Sequence, residues 1–150
     1  MRAVIQRVSY AEVLVKQELI SKISFGLLIF LGIEVEDNAD DVNWLAKKIS
    51  QLRIFSDNKG VMNKSVIDIK GETLIISQFT LHAKTKKGAR PSYIRAAKSR
   101  EAKLLYEDFC KKTSQLLNKK SCMGKFGSNM QVTSTNDGPV TIIIDTKNKE

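Results

Sequence analysis

The chain has 150 residues, 42% of them apolar and 27% charged, the range of one ordinary folded domain large enough to bury a core. No apolar run reaches the roughly 18 residues a membrane span needs, the longest lying around Phe25 to Val35 and carrying Glu34. The formal charge of +9 points toward polyanionic partners, with phosphate backbones the usual candidate.

Residues 2 to 8, "RAVIQRV", alternate in the manner of a strand with both faces occupied, so Arg7 is expected to face something other than open water. The alternation starts at once and leaves no space for a leader, and the expectation is a cytosolic protein. "AEVLV" and "LISKIS" read as a hairpin around Lys16 to Glu18, and "GLLIFLGIEV" as a buried strand started by Gly26, which gives three antiparallel strands in a row. Asn38 is a suitable N-cap, Asp40 and Asp41 suit a first turn, and Val42, Leu45, Ala46, Ile49 and Leu52 make one apolar stripe. That helix is predicted to end near Phe55.

"SDNKG" is a turn, 66 to 69 a short strand and "KGE" a second turn. "TLIISQFTL", 73 to 81, is mostly apolar and is predicted to be a central strand. Ala102, Leu105, Tyr106, Phe109, Thr113, Leu116 and Leu117 hold helical spacing to about Asn118. "MGKFG" places two glycines around Phe126, where the backbone turns sharply or approaches something closely. Two strands, 130 to 135 and 140 to 145, then flank a bend at Gly138-Pro139, with 145 to 150 a tail. The order implies one α+β domain with a largely antiparallel or mixed sheet and two main helices packed on it.

Cys110 and Cys122 are too few and too far apart for a disulfide framework or half a zinc site, and both are expected to be reduced thiols. His82 is the only histidine, so a Ser-His-Asp triad has no other route. Lys84, Lys86, Lys87 and Arg90 crowd around Gly88, which makes either a site for polyanions or a solvated loop. Ser77, Gln78 and Thr80 are polar at the end of an apolar strand, where a pure core would carry Val or Ile. Local hydrogen bonding explains any one of them, and three together before a basic loop point to a site. Asn136-Asp137-Gly138 is good chemistry for a tight hairpin turn, whereas a Gly-Pro pair inside a strand pattern also marks an unusual backbone.

"MRAVIQRV", "GLLIFLGIE", "LAKKISQLRIF", "SQFTL" with "KGARPSY", and "FGSNMQV" followed by "NDGPVT" stand in order from residue 1 to about 145, and together they resemble the D-aminoacyl-tRNA deacylases. His82 stands where that family commonly has Tyr, and Ala89 where a second basic residue is usual. The resemblance implies a barrel-like sheet and a homodimer in which "SQFTL" of one subunit meets the Gly138-Pro139 unit of the other. In the family that peptide bond is cis, and the dipeptide occupies the space an L-aminoacyl side chain would need, so D-aminoacyl and glycyl esters enter. It further implies Gln78, Phe79 and Thr80 as the catalytic segment, with backbone N–H groups near Phe79 and Thr80 holding the carbonyl oxygen. Thr80 as a covalent nucleophile is the competing mechanism, and it lacks an evident base. Ser77, Asn136, Arg7, Met130 and Phe126 are implied as substrate-binding residues, with Arg7 bracing the Gly-Pro loop through its carbonyls. For Met130 and Phe126 core packing is the competing role. Lys84, Lys86, Lys87 and Arg90 become contacts to aminoacyl-tRNA, and no metal or organic cofactor is implied. A non-catalytic RNA-binding module, and a sibling proofreader for an L-amino acid with a trans Gly-Pro bond, are the alternatives.

Overall fold

The structure, a computed structural model, describes residues 1–149 and is organised around one long strand, β1 (Arg2–Val15), which joins the two opening runs into a single element. One edge of β1 pairs antiparallel with β2 (Glu18–Ile23) over its second half and with β3 (Gly26–Gly32) over its first. Its other edge pairs antiparallel with β8 (Gln131–Asp145) along nearly its whole length. β6 (Glu72–Ser77) lies parallel to β3, and the two-residue β7 (Cys122–Met123) lies parallel to β6. The sheet then curls back on itself, because the Ser21 hydroxyl on β2 donates to the Met123 carbonyl on β7 at 2.7 Å. The result is the nearly closed, mixed, barrel-like sheet expected from the resemblance. β4 (Phe55–Ser56) and β5 (Met62–Lys64) form a separate small ribbon.

β3 is apolar throughout, and β6 is apolar over Leu74–Ile76, because both faces are covered there. Leu27, Ile29, Leu31 and Ile75 belong to the layer under the helices, while Leu28, Leu74 and Ile76 fill the barrel with Val8, Val13 and Ile23. The two strands start so close together that a Cβ on Gly26 would lie 1.9 Å from the Glu72 carbonyl oxygen, and only glycine fits there.

Two helices close the outer layer. α1 (Ala39–Ser50) begins with a capping box: Asn38 accepts from Asp40 N–H at 2.8 Å, and Asp41 accepts from Asn38 N–H at 3.1 Å. Val42, Leu45, Ala46 and Ile49 are buried, as the stripe required. The helix stops at Ser50, short of Phe55, because the next residues have other duties. Ile54 offers its carbonyl to Arg7, and Phe55 enters the core from β4. α2 (Ser99–Leu117) packs beside α1 and ends at Asn118 in the left-handed conformation, φ 48°.

Three other elements differ from their expected form. Residues 66 to 69 are a turn, since the Ser65 N–H and hydroxyl both bond the Asp68 carboxylate (2.8 and 2.7 Å), which gives the backbone a local alternative to a ladder. The strand expected over 73 to 81 ends at Ser77, and Phe79–His82 form a short 3-10 turn. The last two runs form one strand, β8, with no reversal between them. The stretch expected as a tail is tied down through Lys149, whose ammonium lies 4.5 Å from the centroid of the Trp44 ring. Thr146 is buried and bonds Met1 through its backbone and hydroxyl, and Lys147 reaches Asp41 at 2.9 Å. Among the described residues no helix is long and apolar enough to cross a membrane, and both cysteines are free.

Candidate active site

The polar strand end sits where β6 gives way to the 3-10 turn. Gln78 leaves strand geometry with φ −142° and ψ 79°, held by its N–H to the Leu31 carbonyl at 2.8 Å. The backbone bonds of the turn begin with Leu81 N–H to the Gln78 carbonyl at 3.2 Å, so the N–H groups of Phe79 and Thr80 precede the first bond of the turn. The Gln78 side-chain amide donates to Thr80 Oγ1 at 2.5 Å. An amide N–H is a donor and takes no proton, so Thr80 carries no activating base from this contact.

His82 supplies none either. It is 2% exposed, its ring lies against Gly32, and among the described residues neither ring nitrogen has a hydrogen-bond partner. The route to a triad through His82 is therefore absent from this geometry.

A cleft of about 690 Å³ opens over the strand end, lined by Ser77, Gln78 and Phe79 on one side and by Phe126 and Met130 on another. Phe126 and Met130 each pack on the core and also face the cleft. Phe126 packs on the core and on Tyr106, with ring centroids 5.5 Å apart, while Met130 packs on the barrel interior, and each still lines the cleft. Tyr106 anchors this floor by donating to the Ile75 carbonyl at 2.7 Å. Burial pushes the neighbouring Cys110 thiol up to about 12, which makes it an inert packing group.

The third wall went unread in the sequence. Tyr93, Ala96, Ala97 and Ser99 line it, and it is pinned to the end of β3. Ala97 N–H bonds the Ile33 carbonyl at 3.0 Å, Val35 N–H bonds the Arg95 carbonyl at 3.1 Å, and the Arg95 guanidinium bonds the buried Glu34 carboxylate at 2.6 Å. That hydrogen bond raises the Arg95 pKa above its ordinary value. Small residues ahead of a helix give little signal in a sequence. The one available cue was the aromatic of "RPSY" following a basic loop.

Thr80 borders a second hollow of about 570 Å³, with Arg2, Val4 and Trp44. Arg7, Asn136, Gly138 and Pro139 line neither hollow, so on a single chain they lie apart from Ser77–Phe79. In the ladder between β1 and β8, Gln6 pairs with Thr141 and Val8 pairs with Asn136, so residues 137 to 140 of β8 stand opposite Arg7 alone. This bulge lifts Gly138 and Pro139 off the strand, exposed, with a cis bond between them. Gly138 has φ +123°, a conformation that L residues rarely adopt. Arg7 fills the space beneath, with a side chain 11% exposed. Its Nε donates to the Asp137 carbonyl at 3.1 Å and lies 3.0 Å from the Asp137 carboxylate, and its terminal amino group donates to the Ile54 carbonyl at 2.6 Å. Asn136 is exposed at the edge of the bulge.

Lys84, Lys86, Lys87 and Arg90 are all exposed on a loop that starts directly after the 3-10 turn. Reciprocal backbone bonds between Lys84 and Ser92, 2.8 and 3.0 Å, close its base.

The fold is shared with a solved structure described as a probable eukaryotic D-amino acid tRNA deacylase, with a TM-score of 0.82 over 95% of this chain and 97% of that one at 15% identity. The chain belongs to the D-Tyr-tRNA(Tyr) deacylase family, whose model matches residues 4–145. A D-aminoacyl-tRNA deacylase of Bacteroides thetaiotaomicron is 57% identical over the full length of both chains. A solved structure described as c-Myc DNA Unwinding Element Binding Protein is 39% identical, with a TM-score of 0.93 over 97% of this chain and 99% of that one.

Proposed function

We propose that this chain is a hydrolase that cleaves the ester of D-aminoacyl-tRNA, releases the D-amino acid and spares the L-aminoacyl ester, and so proofreads chirality in translation. The observation that carries the reading is the strand end itself: Ser77, Gln78 and Phe79 line a cleft, the N–H groups of Phe79 and Thr80 precede the first bond of the turn, and the Thr80 hydroxyl has no base beside it. An aminoacyl ester is already activated relative to an amide, so it needs stabilisation of the developing oxyanion more than a strong nucleophile. Preorganised N–H donors supply that, each worth about 3 kcal/mol. The terminal adenosine rests against Phe126 and Met130, with Ser77 and Gln78 beside it, and the ribose hydroxyl next to the ester helps position the attacking water.

Chirality is tested by a second copy of the chain. Gly138 and Pro139 are raised, braced by Arg7 and outside their own cleft, which suits insertion into the cleft of a partner in a homodimer, with Asn136 at the edge of the insertion. Main-chain atoms placed where an L side chain must go reject every L residue alike and leave D side chains free to vary. Glycyl esters, having no side chain, are admitted as well. The exposed Lys84, Lys86, Lys87 and Arg90 meet tRNA phosphates. The setting is the cytoplasm, where aminoacyl-tRNA is consumed.

The test is deacylation of D-Tyr-tRNA beside L-Tyr-tRNA by the purified protein with a chelator present. Hydrolysis of the D ester with the L ester intact is expected. Equal rates would overturn the reading, and tRNA binding with neither ester cut would favour the RNA-binding module. Thr80→Ala and Thr80→Val, which keep the backbone N–H, are expected to retain activity within about tenfold. A nucleophile would instead cost a factor on the order of 10⁴ or more in kcat.

A further inference from the structure

One exposed feature has no part in the chemistry above. Phe79 and Tyr93 pack edge to face with ring centroids 5.0 Å apart and planes at 73°, yet they are 56% and 39% exposed and neither joins the apolar core. Aromatic pairs of this size are normally buried or covered by a partner. Both rings line the cleft, and both adjoin the basic loop: Phe79 opens the 3-10 turn that leads into Lys84, and Tyr93 directly follows Ser92, whose backbone closes the loop against Lys84. The aromatic pair thus belongs to the cleft lining and is continuous in the chain with both ends of the cationic loop.

We propose that the Phe79–Tyr93 pair is a stacking platform for the nucleobase that precedes the terminal adenosine of the tRNA, the penultimate cytidine. This rests on the adenosine occupying the cleft. A single strand that runs from the cleft toward the cationic loop meets this pair, and a planar base is the part of it that an open ring face accepts without regard to sequence. An edge-to-face pair leaves ring faces free while fixing both planes, so little ordering is needed at the moment of binding. The phosphates beyond that base meet Lys84, Lys86, Lys87 and Arg90, and the charge complementarity of the loop selects nucleic acid over an apolar peptide as occupant.

The experiment is a binding titration that needs no hydrolysis, using adenosine, the trinucleotide CCA, and CCA with its middle base removed. Wild-type protein is expected to bind CCA about tenfold more tightly than the abasic form. Tyr93→Ala and Tyr93→Leu are expected to erase that difference, each variant binding intact and abasic CCA alike whatever its affinity for adenosine, and Tyr93→Phe is expected to preserve it. Leu keeps the wall filled and removes only the ring, so a purely structural role would leave that variant unaltered. Equal binding of intact and abasic CCA by the wild type, or a difference that persists in Tyr93→Leu, overturns the platform. The catalytic reading fails separately, if D-Tyr-tRNA survives incubation with the wild type, whatever the titration gives.

Discussion

Gly138→Ala is expected to collapse the ratio of D- to L-aminoacyl-tRNA hydrolysis by at least about a hundredfold while affinity for uncharged tRNA is kept. At φ +123° any Cβ strains the backbone, and the one introduced here would lie 2.9 Å from the Arg7 guanidinium and 3.0 Å from the Val140 side chain. The bulge has to shift, at a cost of about 1–3 kcal/mol for the conformation alone. A displacement near 1 Å at a reacting centre is enough for losses on the order of 10². The measurement is the pair of initial rates on D- and L-Tyr-tRNA, with a filter-binding assay on uncharged tRNA. An unchanged ratio would show that Gly138 takes no part in sorting enantiomers.

Arg7→Ala should injure stability and selectivity together. Removing the guanidinium strips the Asp137 and Ile54 carbonyls of their donor and empties a nearly buried space. Each orphaned carbonyl costs about 1–3 kcal/mol, less where water can enter, so a total near 3 kcal/mol is expected from urea midpoints. The carboxylate of Asp137 is 42% exposed, so its ion pair contributes little to that sum. Arg7→Lys is not expected to rescue, because one ammonium cannot reach two carbonyls that lie in different elements. Since the Cβ of Gly138→Ala presses on Arg7, the double variant should lose less than the sum of the two single ones. Full additivity would mean that the brace and the bulge act independently.

The parts of the fold set by local chemistry were legible from the residues. Asn38, Asp40 and Asp41 write a capping box that any reader of helix ends can see, and the run from Gly26 to Gly32 is apolar because both its faces are covered. What depended on distant partners was not. The turn at Ser65–Asp68 resembles a short strand until the carboxylate is seen to take the backbone. Gly138-Pro139 resembles a hairpin turn because no local pattern reveals that both flanking runs pair with the same strand, roughly 130 residues earlier in the chain. Of the cleft, Ser77 and Gln78 stood out, with Thr80 beside them, as polar residues ending an apolar strand. Ala96 and Ala97 did not, since a wall made of small side chains announces nothing. Arg7 was marked by charge in an alternating strand, but its contact with Ile54 required the early end of α1.

Holding four residues of β8 against one of β1 has an evolutionary consequence. The surplus is confined between two paired positions, so lengthening or shortening the protrusion by a residue leaves the inward and outward faces on either side as they were. How far the probe extends is thus decoupled from the barrel that carries it. Descendants of this chain can retune the reach of that protrusion without redesigning a core.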